Sequence, residues 1–133
     1  MTGVASRDMV RLEACAKRYG PTQALAPTDL VIGEGEFVTL LGPSGSGKTT
    51  ILNLIAGTTV PTSGRVWIAG RDVTDVPVEK RGLGMVFQNY ALMPHMSVFE
   101  NVAFPLRVRR CPESEIRRKV TEVLNIVRLP GIA

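Results

Sequence analysis

Residues 42–49 read Gly-Pro-Ser-Gly-Ser-Gly-Lys-Thr, a match to G-x-x-x-x-G-K-S/T with every fixed position filled. The run before it, Phe37-Val38-Thr39-Leu40-Leu41, is apolar, too short for a typical helix and bounded by glycine, so it is expected to form a buried strand. Behind the loop, residues 48–56 carry the apolar content of a packed helix that ends at Gly57. Strand, glycine loop and helix in that order leave few folds open.

The chemistry behind this spacing is the binding of a polyphosphate, whose charged oxygens must be met from several directions at once. Backbone N–H groups are dense enough to do so, provided no side chains hold the phosphate away. Gly45 and Gly47 remove that obstacle and permit positive φ, so successive N–H groups turn into one concavity. A helix starting near Gly47 adds unpaired N–H groups and a positive dipole end, worth about 0.3–1 kcal/mol when exposed. Lys48 brings a full charge to β- and γ-phosphates, and the Thr49 hydroxyl stands where it can ligate Mg²⁺. The expected contact set for ATP is Gly42, Pro43, Ser44, Gly45, Ser46, Gly47, Lys48, Thr49 and Thr50. The competing reading is a glycine-rich turn that binds nothing; the flanking strand and helix argue against it.

The chain has 133 residues, 44% of them hydrophobic, enough for about one small domain with a core. A net charge of +4 suits a polyphosphate ligand but equally an anionic membrane face or nucleic acid. Cys15 and Cys111 match no metal or redox spacing and fit a reducing compartment. No apolar run reaches the roughly 18 residues of a membrane span, and the N-terminus has no apolar leader, so a cytoplasmic protein is expected.

Alternating apolar and polar residues predict strands over 9–17 and 24–32, an antiparallel pair ahead of the loop. Residues 65–69 predict a further strand, with Val66 and Ile68 on one face, returning through Gly70 and Asp72-Val73-Thr74 as a hairpin. Gly84-Met85-Val86-Phe87-Gln88 reads as a second short buried strand ending on a polar residue. Ser97 with Glu100 three positions on is a capping box, so a short helix is expected there, stopping before Pro105. From Pro112 onward, Ile116, Val120, Val123, Leu124 and Val127 recur at helical spacing opposite Arg117, Arg118, Lys119 and Glu122, an amphipathic helix. His95 reads as a loop residue. Arg107, Arg109, Arg110 and the helix bases read as a solvated face; with no aromatics interleaved, no nucleic-acid partner is expected.

Three stretches, GEFVTLLGPSGSGKTTILNLIAG, PTSGRVWIAGRDVT and RGLGMVFQNYALMPHMSVFENVAFPL, in that order, resemble the N-terminal half of an ABC transporter ATPase, the polyamine-type importers most of all, with sugar and iron importers close behind. The resemblance implies a P-loop NTPase fold of α/β class with an N-terminal antiparallel β subdomain and the beginning of a helical subdomain. It divides the chain into a nucleotide-binding core over 1–88 and a second part over 89–133. It implies that Tyr19 stacks on adenine, where the residues alone favour a strand-end tyrosine packed on its hairpin. It implies that Gln88 reaches Mg²⁺ and the attacking water and senses the γ-phosphate, against a plain solvent-facing strand end. It further implies transmembrane permease subunits docking on the loop around Tyr90, Leu92, Met93 and Phe99, a second ATP-binding subunit, and a place on the inner face of the cell membrane. For the apolar side chains of that loop, packing on the remainder of the protein is the equal alternative.

The family's signature sequence, Walker B aspartate, catalytic glutamate and switch histidine have no counterparts here, so the chain is expected to be a fragment of the hydrolytic machine. Two functions follow as expectations. One is an ATP-binding component coupling ATP binding and hydrolysis to solute uptake, polyamine being the first cargo considered. The other is a non-hydrolysing nucleotide-binding module that regulates a transporter.

Overall fold

The computed structural model describes residues 7–131. The chain opens with two long strands, β1 (Asp8–Tyr19) and β2 (Thr22–Gly33), which pair antiparallel from Asp8↔Gly33 to Tyr19↔Thr22 across a turn at Gly20 and Pro21. After the helix α1 (Lys48–Ala56), β3 (Ser63–Ile68) pairs with the other edge of β1, and the short β4 (Arg71–Asp72) closes a hairpin with β3. The sheet order is β2-β1-β3-β4, antiparallel throughout. A bulge at Ala14 (φ 45°) shifts the register of β1 between Leu12 and Cys15, so that both face the same side of the sheet, where they bury with Leu25, Val66, Leu54 of α1 and Val73. Ile51, Ile55, Ile68 and Val76 pack around them. The result is one helix laid on one face of a four-stranded sheet. Cys15 donates its S–H to the carbonyl of Arg65 at 3.1 Å, and burial raises the pKa of its thiol.

Two expected strands are not strands. Residues 37–41 form no regular element and are unpaired, with Phe37 93% and Leu41 90% exposed, and residues 84–88 are likewise irregular, with Val86 93% exposed. A buried strand needs hydrogen-bonding neighbours as well as apolar side chains, and among the described residues nothing pairs with either segment.

The chain divides into two compact units between Met85 and Val86. The second is a helical hairpin of α2 (Val98–Val108) and α3 (Glu113–Ile126). The capping box is present in full: Ser97 Oγ accepts from the N–H of Glu100 at 3.2 Å, and Glu100 Oε2 accepts from the N–H of Ser97 at 2.7 Å. The Ser97 N–H, and after it the Ser97 hydroxyl, holds the Glu100 carboxyl below its ordinary pKa. Against expectation, α2 runs through Pro105. The ring gives no N–H to the carbonyl of Asn101, but Ala103, Leu106, Phe99 and Val102 all pack with α3, and that burial carries the helix past the break. On α3 the contact stripe is Ile116, Val120 and Leu124 only; Val123 and Val127 lie largely in solvent, a narrower apolar face than expected. Among the described residues no helix is long and apolar enough to cross a membrane.

Candidate functional site

The glycine loop ends where α1 begins. Gly47 is the N-cap at φ 93°, a left-handed conformation, and it is buried because the start of β2 lies directly behind it. A Cβ placed on Gly47 would come within 2.9 Å of Leu25 Cδ1 and 3.2 Å of the Ala24 carbonyl. Glycine is therefore required twice over, by the backbone angle and by the close approach. Gly45, at φ 81°, faces open space, so its requirement is conformational alone.

Inside the loop, Lys48 Nζ donates to the carbonyls of Gly42 and Pro43 (the latter at 2.7 Å) and to Ser46 Oγ at 3.1 Å. The ammonium thus sits at the centre of the turn, and the Ser46 N–H closes it on the Pro43 carbonyl at 3.2 Å. No side chain caps α1 and no acidic residue occupies its first turn, so the N–H groups of Lys48, Thr49 and Thr50 are left for an external acceptor. Ser44 and Ser46 are exposed on the rim, and the Thr49 hydroxyl faces solvent beside the cradle. These donors fit a phosphate chain: uncapped amides at a helix start, one cation, and no acidic residue in the first turn to repel it. Among the described residues no three His, Cys, Asp or Glu side chains gather into a metal cage, so Mg²⁺ held here would be shared between the Thr49 hydroxyl, phosphate oxygens and water, its usual coordination beside a nucleotide.

Tyr19 is brought to the same end of the first unit. It closes the β1–β2 turn opposite Thr22, and Leu25, the residue behind Gly47, follows three positions later, about 10 Å along the strand. Its ring is half exposed, with the Lys17 ammonium over one face at 5.0 Å from the centroid. Lys17 is held there by a 2.7 Å bond to the Val60 carbonyl. Gln88 belongs to the second unit, exposed at the start of a turn in which the Tyr90 N–H reaches the Phe87 carbonyl at 3.1 Å. Tyr90 and Leu92 are exposed and Phe99 is half-buried against α3. His95 is an exposed loop residue.

Two structural residues around the site escape sequence reasoning. Asn101 accepts from the Met93 N–H at 2.9 Å and donates to the carbonyls of Met93, Met96 and Ser97 at 3.1, 3.2 and 3.0 Å, fixing the loop that follows Gln88. Arg81 is the single buried charged side chain among the described residues. Its Nη1 donates to the carbonyls of Leu54 and Ile55 at 2.7 and 3.0 Å, capping the C-terminus of α1 with a cation. Neither announces itself in sequence, since the acceptors of both are main-chain carbonyls, which no residue pattern marks, and two of those of Arg81 are 26 and 27 residues away.

A glycine loop opening a helix that is laid on a sheet defines an α/β protein of the phosphate-loop class. A family model described as "ABC transporter" matches residues 25–133, and the chain belongs to that family. Its fold is that of the ABC ATPase cassette, of which it carries the antiparallel β part and part of the helical part. It is 47% identical over 130 residues to the spermidine/putrescine import ATP-binding protein PotA of Aggregatibacter actinomycetemcomitans, covering 98% of this chain and 35% of that protein. It is 48% identical over 126 residues to the Fe(3+) ions import ATP-binding protein FbpC of Vibrio cholerae, covering 95% of this chain and 36% of that protein. The solved ATP-binding cassette MJ0796, a dimer in a post-hydrolysis state bound to ADP and Pi, superimposes with a TM-score of 0.81 at 34% identity, covering 92% of this chain and 59% of that one. The chain spans about a third of the length of the curated relatives it matches.

Proposed function

We propose that this chain is the nucleotide-binding portion of the ATP-binding component of an ABC importer, which couples ATP binding and hydrolysis to solute uptake. The observation that carries the reading is the loop itself: left-handed Gly45 and Gly47, an uncapped start of α1, and the Lys48 ammonium held within the loop by the Pro43 carbonyl and Ser46 Oγ. When ATP enters, Lys48 exchanges the Gly42 and Pro43 carbonyls for β- and γ-phosphate oxygens, and the loop amides close on the chain. Thr49 would offer a hydroxyl to Mg²⁺, which would supply positive charge to the phosphates. The free face of Tyr19 stacks on adenine, opposite the face that Lys17 covers. Gln88 orients the attacking water with a neutral amide, a role of positioning, and would be a further ligand for Mg²⁺.

Polyamine is the first cargo to test, with ferric iron and sulfate the alternatives, because relatives at nearly equal identity are named for each. In this reading the loop from Tyr90 to Phe99 receives transmembrane permease subunits, a second ATP-binding subunit completes the assembly, and the protein works at the inner face of the cell membrane. Exposure of Tyr90 and Leu92 supports the docking role, since apolar side chains on a loop are costly unless covered. Calorimetric titration of the intact subunit with MgATP tests the reading. Lys48→Ala is expected to abolish binding, whereas Gln88→Ala retains binding and loses roughly tenfold or more in turnover. Undiminished MgATP affinity in Lys48→Ala ends the proposal. Uptake of labelled spermidine, ferric iron and sulfate by cells with and without the subunit discriminates among the three.

A further inference from the structure

We propose that Arg81 is a positioning residue: it ties the end of the phosphate-binding helix to the root of the segment bearing Gln88, so that what happens at Lys48 is felt at residues 84–91. The inference rests on the nucleotide reading above and adds a residue to it.

The geometry is that of a joint with four main-chain attachments. Besides the Leu54 and Ile55 carbonyls, Arg81 Nε donates to the Val76 carbonyl at 2.8 Å and Nη2 to that of Thr74 at 3.3 Å. One guanidinium thereby holds the last turn of α1 and the chain leaving the β3–β4 hairpin against one another. Burial pushes the Arg81 pKa down, yet a guanidinium stays protonated, so the joint keeps its charge. Gly57 makes the space for it: a Cβ there would lie 2.4 Å from Arg81 Nε and 2.7 Å from Cζ. Beyond Arg81 the chain has no such hold. Residues 82–90 are all exposed, and the next buried residue is Ala103, in the second unit. Arg81 is thus the final anchor of the first unit on the path to Gln88.

The connection has a direction. Helix α1 is a nine-residue rod with the phosphate amides at one end and the Arg81 carbonyls at the other. A small axial shift of the rod when phosphate binds moves those carbonyls, and a guanidinium bonded to both the rod and the 74–76 segment carries the shift to the segment's exit. A lysine in its place has one nitrogen and cannot span the four acceptors.

Hydrogen–deuterium exchange on the intact subunit, with and without MgATP, tests this. At about 100 times its Kd, MgATP is expected to slow exchange of residues 42–50 by up to roughly 100-fold, and to change exchange of residues 84–91 in the same sample. In Arg81→Met, protection of 42–50 persists while the response of 84–91 is lost, and kcat falls without a matching rise in KM. Gly57→Ala, which displaces the guanidinium and leaves its charge, gives the same separation. An unaltered response of 84–91 in Arg81→Met, or none in the wild type despite protection of 42–50, overturns the inference. Loss of the folded state in both variants also overturns it, because Arg81 is then a folding residue alone. Absence of protection at 42–50 in the wild type instead refutes the nucleotide reading.

Discussion

Replacing Gly47 with alanine separates the two reasons the loop needs glycine there. The backbone sits at φ 93°, where an L-residue costs about 1–2 kcal/mol. The new methyl would also stand 2.9 Å from Leu25 Cδ1, and Leu25 is packed in the core with Leu12 and Leu54, so it cannot simply swing aside. Overpacking of that kind adds about 1–3 kcal/mol. Gly45→Ala is the matched control: φ 81° imposes the same conformational cost, but nothing lies within 4 Å of its Cβ. The excess destabilisation of Gly47→Ala over Gly45→Ala is therefore about 1–3 kcal/mol, a difference of roughly 1 M in urea midpoint for a slope of about 1–3 kcal/mol/M. The assay is urea unfolding followed by circular dichroism in the absence of nucleotide, because bound ligand would mask the effect by mass action. Coincident midpoints for the two variants would refute the claim that β2 buttresses the loop.

Tyr19→Ala is expected to weaken ATP affinity by about 1–3 kcal/mol while leaving affinity for inorganic triphosphate unchanged, measured by calorimetry; equal losses for both ligands would remove adenine stacking from the account. Asp72 accepts from the Thr74 hydroxyl at 2.6 Å and the Thr74 N–H at 3.0 Å and pairs with Arg65, which together pull its pKa down to about 2 from an ordinary 3.8. Because the folded value is the depressed one, its contribution to the β3–β4 hairpin is complete above about pH 4 and is lost as pH falls toward 2; amide chemical shifts of Thr74 followed by NMR should titrate in that window, and should not in Asp72→Asn. Ser97→Ala removes the acceptor for the Glu100 N–H and should cost the helical hairpin about 0.5–2 kcal/mol, read from amide exchange in the first turn of α2.

What could be read from the sequence was what is decided locally. The glycines at 45, 47 and 57, the capping box at Ser97 and Glu100, and the strands β1, β2 and β3 are each set within a few residues and found where expected, although a bulge at Ala14 breaks the alternation in β1 and buries Cys15 in place of Ala14. What could not be read depends on distant partners. Phe37-Val38-Thr39-Leu40-Leu41 has the composition of a strand, but pairing is a property of two segments, and the pattern in one says nothing about whether the other lies beside it. Pro105 signals a break that the packing of Ala103 and Leu106 overrides. Gln88 could be singled out only by resemblance, since an exposed glutamine in a turn carries no physical mark of function.

The same distinction explains how the phosphate loop holds its shape without a paired strand leading into it. A loop between a strand and a helix can be fixed from either side, and here the strand side is free: residues 37–41 make no sheet bonds and Leu41 is almost wholly exposed. The helix side does the fixing. Leu54 locks α1 into the core, Leu25 and Ala24 bear on Gly47 at its first turn, and Arg81 secures its last. From that rod, Lys48 reaches back to the Gly42 and Pro43 carbonyls and Ser46 Oγ, drawing the loop around its own ammonium. The lysine that meets the phosphates thus keeps the cradle folded before they arrive. It follows that removing Lys48 alters the loop itself as well as its charge, so a Lys48→Met variant is expected to lose protection of the Ser46 N–H, which closes the turn on Pro43, from exchange even without nucleotide, whereas a charge role alone would leave that exchange unchanged.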